Sequence, residues 1–524
     1  MGTYINIGNA GFQEVRNGEY VDKSGLIAVV NRTLCTQQKF SCVTRCRRFG
    51  KSMAAKMLCA YYDQSCDSRS LFADLQIAGD PSFEKHLNKY PVIYLDMSGF
   101  MKNIHDADIV SLIEDKLKKD VMEAYPDVEA RAEDSLMDSL LRIATSTQQA
   151  FIFIIDEWDA ICREHQSGTA AMDQYVNWLR SMFKDVNASR VFAAVYMTGI
   201  LPIKKYDTQS ALNNFREYSM IMPRQLSGYY GFTKKEVQAL AKKHGMDYDE
   251  LAKWYDGYQI GDEPSMFNPN SVMEALDAGL CESYWASTGA YDAVTTYIKM
   301  DFEGLRRDII DMLAGGRCKV RVTGFNNDMH EVTSRDDVLT VLIHLGYLSY
   351  DRTTQECYIP NREVAIEMES AVRKTNWSYV IEAIEASERL LQSLLRGDAE
   401  AVAAGVERVH RQEVSLFKYY DENSMACVIS LAFYAARNDF HVHREYQTGD
   451  GYADLVLIPR KNVNKPAVVI ELKYDKTVGT AIDQIHQKHY PEKVADYTGD
   501  ILLCGISYDR EAKTHSCQIE HWTV

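Results

Sequence analysis

Two short stretches hold residue types that could handle a phosphate chain. "TRCRRFGKS" (44–52) ends in Gly50-Lys51-Ser52, and "FIIDEWDA" (153–160) carries Asp156-Glu157. A phosphate-binding loop of the form GxxxxGK[ST] wraps backbone amides around a β-phosphate, sets one lysine on the β/γ oxygens and places one hydroxyl on Mg2+. Gly50, Lys51 and Ser52 supply the last three parts. Arg45 stands where that pattern has its first glycine, and arginine does not reach glycine's backbone angles without cost. Alone, the stretch also fits a solvated basic turn. The second pair ends the apolar run Phe151 to Ile155, with an aspartate to hold Mg2+ and a glutamate to polarise an attacking water. Two carboxylates at the end of a buried strand are costly without a cation. The two stretches together therefore point to a nucleotide site.

A second constellation lies near the C-terminus. Asp454 falls in "GYADLVLIP" and Glu471-Leu472-Lys473 in "PAVVIELKYDK". The period of two puts Glu471 and Lys473 on one strand face, and the short connection "RKNVNK" lets the two strands pair, with Asp454 in reach of Glu471. Two carboxylates and a lysine are the minimum for metal-dependent phosphodiester cleavage, the oxygens binding Mg2+ or Mn2+ and the lysine orienting or activating water. The alternative is a charged, solvated strand face, against which the apolar run Ala467 to Ile470 argues. His441, His443, His486 and His489 flank this site and read as surface or packing residues.

The elements that must position these groups follow from the apolar pattern. "PVIYLDM" (91–97), "AFIFIIDEWDA" (150–160) and "VFAAVYMTGI" (191–200) are continuous apolar runs, as in strands covered on both faces of a parallel sheet. "KFSCVTR" (39–45) reads as a fourth strand. A helix over 51–63 would pack through Met53, Met57 and Tyr61, and 106–125 has helical spacing through Ile109, Leu112, Ile113 and Leu117. Strand, helix, strand in repetition predicts an α/β doubly wound parallel sheet. Gly50-Lys51-Ser52 then lies where a strand turns into a helix N-terminus, where free amides and the helix dipole attract phosphate.

With 524 residues, the chain has room for several domains, and 46% hydrophobic and 25% charged residues with 11 prolines describe a globular protein. The twelve cysteines show no metal-like grouping with histidine and read as reduced, mostly buried thiols. No signal-peptide pattern and no run long enough to span a membrane is present, so a cytoplasmic location and no membrane partner are expected. A formal net charge of −16 argues against a protein that coats nucleic acid nonspecifically, while leaving room for a local basic groove.

Expected boundaries are a phosphate-site domain over 1–232, a helical lid over 233–300, a small winged-helix-like unit over 301–375, and a helical connector with the second α/β domain over 376–524. The lid opens with Thr233 and Glu236 spaced as a capping box. Its aromatic residues Trp254, Tyr255, Tyr258, Phe267, Tyr284 and Trp285 read as core packing and not as a base-stacking platform.

In order and spacing, "TRCRRFGKS", "FIIDEWDA", "YMTGILPIKK", "WYDGYQ", "MFNPNSV", "YWASTG", "HLGYLSY" and "YIPNREV" resemble the bacterial AAA-ATPase-like proteins with a C-terminal PD-(D/E)XK nuclease-like domain. The family's loop commonly reads TRPRRFGKS, so the resemblance makes Arg45 a family trait; Cys46 replaces the usual proline. It implies a P-loop NTPase that binds ATP and Mg2+, a hydrolase, through Arg48, Gly50, Lys51, Ser52 and Asp156, with Glu157 catalytic and Thr198 at the sensor position for the γ-phosphate. A hydroxyl that only caps a strand end is the alternative for Thr198. Arg47, Arg48 and Arg180 are candidate charge stabilisers, with a solvated or salt-bridged role as the alternative. In the nuclease-like core the resemblance matches Glu422 to the first-helix acid, Asp454 and Glu471 to the metal acids, Lys473 to the lysine, and Gln484 with Tyr490 to the following-helix motif. Three functions stay open: an ATP-gated DNA or RNA nuclease, an ATPase scaffold whose nuclease fold only binds, and a nucleotide-sensing signalling protein. A homo-oligomer is compatible with each.

Overall fold

The computed structural model describes residues 2–101, 109–128, 131, 134–161, 169–203, 205–206, 209–210, 212–285, 291–300, 302–313, 315–325, 332–375, 378–413, 425, 428–430, 432–448, 451–460, 463–490, 494 and 500–523. The chain divides into two compact units. One comprises Met1–Tyr284, Val320–Gln355 and Pro360–Glu363, the other Trp285–Lys319, Glu356–Ile359 and Val364–Val524. Among the described residues no helix is long and apolar enough to cross a membrane.

The first unit is built on strands β1 (Phe40–Thr44), β2 (Val92–Asp96), β3 (Phe151–Asp156), β4 (Phe192–Gly199) and β5 (Arg216–Tyr218). They lie in the order β2-β3-β4-β1-β5, and every neighbouring pair is parallel. β1, β3 and β4 are buried along their whole length, which is why their sequences are apolar without alternation. The pleat sorts their side chains into two cores. Phe151, Phe153 and Ile155 pack with helices α2 (Ile109–Ala124), α3 (Leu136–Thr147) and α4 (Thr169–Phe183), while Ile152 and Ile154 pack with α1 (Lys51–Tyr62). The sheet is thus covered on both faces, as a doubly wound α/β fold requires.

The expected strands and helices fall within a few residues of their sequence boundaries; positions 106–108 of the 106–125 helix lie outside the described residues. Two details differ. β5 is a three-residue edge strand that the apolar pattern did not reveal. Met53, expected to pack beside Met57 and Tyr61, is 55% exposed while those two are buried. It sits in the first turn of α1, where side chains lean back over the helix N-terminus and away from the sheet.

Beyond the sheet, α5 (Lys234–His244) begins with a complete capping box between Thr233 and Glu236. It leads through α6 (Tyr248–Tyr255) and the antiparallel strands β6 (Tyr258–Ile260) and β7 (Glu263–Phe267) to α7 (Pro269–Ala278), whose Asn268 cap accepts from the amides of Asn270 and Ser271. Trp254, Tyr255, Tyr258 and Phe267 are buried here, as core packing demands and as a stacking platform would not allow.

In the second unit, helices α8 (Ser378–Leu395) and α9 (Ala399–Glu413) precede five strands: β8 (Phe440–Thr448), β9 (Gly451–Pro459), β10 (Ala467–Tyr474), β11 (Asp500–Asp509) and β12 (Thr514–Thr523). They form one sheet in chain order. All pairs are antiparallel except β10 with β11, which are parallel and joined across helix α10 (Val478–Gln487). The odd-numbered residues Ala467 and Val469 of β10 face a core with Ile482 and Ile485 of α10.

Candidate functional sites

At the end of β1 the chain folds through residues 45–50 into α1. Gly50 caps the helix at φ +86°, in the left-handed region that glycine enters without steric cost, and Arg48 also has a positive φ of 67°. The loop is tied from within. Lys51 is buried, and its Nζ donates to the carbonyls of Arg45 and Cys46 at 3.0 Å each. Arg45 answers for its own unusual place. Its fully buried guanidinium donates to the carbonyls of Thr44 and Tyr218 at 2.8 Å and of Leu226 at 3.3 Å, and lies 5.2 Å from the Tyr230 ring centroid. Burial brings its pKa down to about 10. Arg45 therefore links β1, β5 and the following turn beneath the loop, a role no glycine could fill.

The ends of β2, β3 and β4 bring the acids together. The β2–β3 register sets Asp96 beside Asp156. Burial pushes the Asp156 carboxyl above the usual carboxylate range, opposed by hydrogen bonds from Thr198 and Ser52. Thr198 Oγ1 donates to Asp156 Oδ1 and accepts from the Glu157 amide at 3.2 Å, while its carbonyl accepts from Trp158 N at 2.8 Å. At Glu157 the backbone turns to φ +55°, leaving the strand direction that Asp156 still follows. Glu157 Oε2 accepts from Ser98 Oγ at 3.2 Å, and Asp156 Oδ2 from Tyr94 OH at 3.2 Å.

A cavity of about 300 Å³ opens over this cluster, lined among others by Arg48, Gly50, Lys51, Ser52, Glu157, Tyr20, Phe232, Asn270 and Met273. Its wall thus combines the loop with an N-terminal segment and the start of α7. Lys23 pairs with Glu236 at 2.7 Å, and Glu19 with Lys243 at 2.7 Å and His244 at 2.6 Å, fastening that segment to α5. The donor set fits a magnesium nucleotide: a lysine and an arginine for phosphate oxygens, a serine hydroxyl bonded to a buried aspartate for the cation, and apolar rings beyond them. Arg180 is on the exposed face of α4, at 3.5 Å from Asn177 Oδ1. Tyr94, Asp96 and Ser98 were missed by sequence reasoning, although "YLDMS" (94–98) ends an apolar run in an acid as "FIIDE" does.

In the second unit, β9 and β10 pair with Leu455 opposite Ile470, so one further step sets Asp454 opposite Glu471. Asp454 Oδ2 accepts from the Leu472 amide at 2.7 Å. Glu471 and Lys473 are buried on one face; Lys473 Nζ donates to Glu471 Oε1 at 2.8 Å and to the Leu472 carbonyl at 2.9 Å. Gln484 Nε2 from α10 also donates to Glu471 Oε1. Tyr490 OH donates to the Tyr452 carbonyl at 2.8 Å and lies 3.5 Å from Gln484 Nε2; burial raises its pKa, as do the charges of Glu471 and Asp454. Asp454, Glu471, Lys473, Gln484 and Tyr490 are thus gathered, whereas Glu422 lies outside the described residues. His443 packs against Tyr446, their ring centroids 5.1 Å apart, and His486 Nε2 is 3.0 Å from Glu520 Oε2.

Residues 6–209 match the family model described as "Predicted AAA-ATPase", and residues 420–522 that of the PD-(D/E)XK nuclease superfamily. An "Uncharacterized protein in vnfD 5′region" of Azotobacter chroococcum mcd 1 is 23% identical over 547 residues, covering 97% of this chain and 97% of its own. Among solved structures, the Aeropyrum pernix ORC2 protein (ADPNP-ADP complexes) is similar at 13% identity and TM-score 0.30, covering 69% of this chain and 98% of its own. The Aeropyrum pernix ORC1 protein in complex with DNA is similar at 11% identity and TM-score 0.23, with coverages of 72% and 99%.

Proposed function

We propose that this chain, which carries an AAA-ATPase-like domain and a PD-(D/E)XK nuclease domain, is an ATP-controlled, metal-dependent nuclease acting on DNA or RNA. The observation that carries the proposal is that each domain gathers acid, lysine and a polar partner around its sheet: Lys51 and Ser52 at the start of α1 with Asp156 and Thr198 at the ends of β3 and β4 in one, Asp454, Glu471 and Lys473 on paired strands with Gln484 of α10 in the other.

In the first domain Gly50 and the amides after it receive phosphate oxygens, Lys51 and Arg48 add positive charge, and Ser52 and Asp156 hold Mg2+. Bound there, the ion offsets the charge of the phosphates. Glu157, turned out of the strand, accepts from the attacking water, and Thr198 holds the Asp156 carboxylate and the Glu157 backbone amide in register while facing the γ-phosphate. In the second domain Asp454 and Glu471, with Glu422, hold Mg2+ or Mn2+, which supplies positive charge at the scissile phosphate. Lys473 orients the water, and Gln484 fixes the Glu471 carboxylate. The protein is further proposed to act in the cytoplasm, to be able to self-associate, and to keep the four-part division at 232, 300 and 375.

A second function, a nuclease fold that binds without cutting under an ATPase scaffold or a nucleotide sensor, is favoured by the net charge of −16, which repels a polyanion. One experiment separates the two. The pure chain is incubated with plasmid, linear DNA and RNA, with Mg2+ or Mn2+ and with or without ATP. Cleavage that requires the metal and disappears in Asp454→Ala supports the nuclease; retention of nucleic acid without cleavage under every condition supports the scaffold.

A further inference from the structure

On the opposite face of the nuclease sheet, α9 packs against β12 and brings two imidazoles and a carboxylate together. Glu407 and His410 stand three residues apart on α9 and so share one helix face; His515 comes from β12. Their potential ligand atoms all lie within 4.8 Å of one another. His515 Nδ1 is 2.6 Å from Glu407 Oε2, and the His410 and His515 ring centroids are 5.1 Å apart with the planes at 89°. The His410 residue is 5% exposed and the His515 side chain 0%.

The cluster is separate from the nuclease acids. Lys473 and Glu471 point toward α10, whereas Tyr474, one residue on, points the other way. Tyr474 is opposite Tyr508, and Tyr508 opposite His515. His515 therefore lies on the face turned from α10 and two strands from β10, on the order of 10 Å across the sheet.

We infer that Glu407, His410 and His515 form a binding site for a first-row transition-metal ion of the Zn2+ class, which fastens α9 to the terminal strand. Two nitrogens and one carboxylate oxygen suit Zn2+ and are a poor set for Mg2+ or Ca2+, which take oxygen ligands. A tetrahedral ion with bonds near 2.1 Å needs ligand atoms roughly 3.4 Å apart, so the Glu407–His515 pair has to open by less than about 1 Å. The surroundings are those of a supported metal site. Arg411 Nε donates to Glu407 Oε1 at 2.7 Å, orienting the carboxylate and leaving Oε2 toward His515. The Tyr508 ring packs on both imidazoles, 4.9 Å from His410 and 4.8 Å from His515, holding their planes.

The full chain, stripped with a chelator, is titrated with Zn2+ against a chromophoric competitor and with Co2+ by visible absorption, beside an Asp454→Ala/Glu471→Ala variant that lacks the nuclease acids. The inference expects one equivalent of Zn2+ retained by that variant, and tetrahedral d–d absorption with Co2+. It expects binding at least about 100-fold weaker in His515→Gln and in His410→Gln, beyond the 10–100-fold loss of an outer partner. No Zn2+ uptake outside the nuclease acids, or the same uptake in both histidine variants, overturns it. Because the Co2+ spectrum is read on the unaltered side chains, a variant that fails to fold does not shield the inference: a stripped parent chain without tetrahedral Co2+ absorption also overturns it.

Discussion

Ser98 Oγ donates to Glu157 Oε2 at 3.2 Å, reaching from the chain that follows β2 to the residue that follows β3. The hydroxyl fixes one oxygen of the group proposed to polarise water, and does so without touching Asp156. Ser98→Ala is expected to slow ATP turnover by roughly tenfold, the equivalent of one hydrogen bond to a charged group, with the dissociation constant for ATP unchanged. Steady-state turnover beside calorimetric binding checks it; equal losses in both quantities would assign Ser98 to binding.

Lys51 should dominate affinity instead. Its ammonium is buried over the loop and has the carbonyls of Arg45 and Cys46 as neighbours. Lys51→Ala should forfeit a charge-assisted contact worth about 1.5–3 kcal/mol, or roughly ten- to a hundredfold in ATP affinity. Isothermal calorimetry with ATP and Mg2+ reads this directly, and equal binding by variant and parent would remove Lys51 from the site.

Arg45→Gly would restore the GxxxxGK[ST] pattern and should nevertheless harm the protein. Three carbonyls, of Thr44, Tyr218 and Leu226, would lose a buried cationic donor. We expect a loss of about 3 kcal/mol or more from the first unit, seen as a lower midpoint in the earliest transition of denaturant unfolding. An unchanged midpoint would show that glycine and water replace the guanidinium without cost.

How much of this was legible beforehand depended on the kind of signal. Phe151 to Ile155 and Phe192 to Met197 are apolar because both faces of β3 and β4 are covered, so sequence alone located the strands and the acids that end β3. β5 carries no such mark: it is three residues long, at a sheet edge, and begins with Arg216. Met53 has the spacing of a core residue and the position of a first-turn residue, and position decided. Arg45 looked like a defect in a phosphate loop because its partners, Tyr218 and Leu226, are remote in sequence. Asp454 and Glu471 were legible through the hairpin; the contact of Gln484 with Glu471 needed a helix to fold back on the sheet, which only the family resemblance suggested. His410 and His515 were not legible at all, since α9 and β12 meet only in the folded unit.

Asp454 and Glu471 should be needed for cutting and not for nucleotide. Asp454→Ala or Glu471→Ala is expected to abolish metal-dependent cleavage while ATP affinity stays at the parent value, since both lie in a different unit from Lys51. Gel assays with Mg2+ and with Mn2+, run beside ATP calorimetry, check it; cleavage surviving in both variants would locate the activity elsewhere.

Control of cleavage by ATP is the central claim, and Glu157→Gln tests it most directly. Asp156 and Ser52 are untouched in that variant, so ATP should bind and turn over slowly, holding the chain in its bound state. A ligand shifts a conformational balance only by its differential affinity for the two states. The measurement is the nucleic-acid cleavage rate of Glu157→Gln with saturating ATP and without it, at fixed Mg2+. The expected result is one steady rate with ATP that differs clearly from the nucleotide-free rate, in either direction. The same rate in both conditions, in parent and variant alike and with ATP binding confirmed, would contradict the claim and leave two domains that share a chain without sharing control.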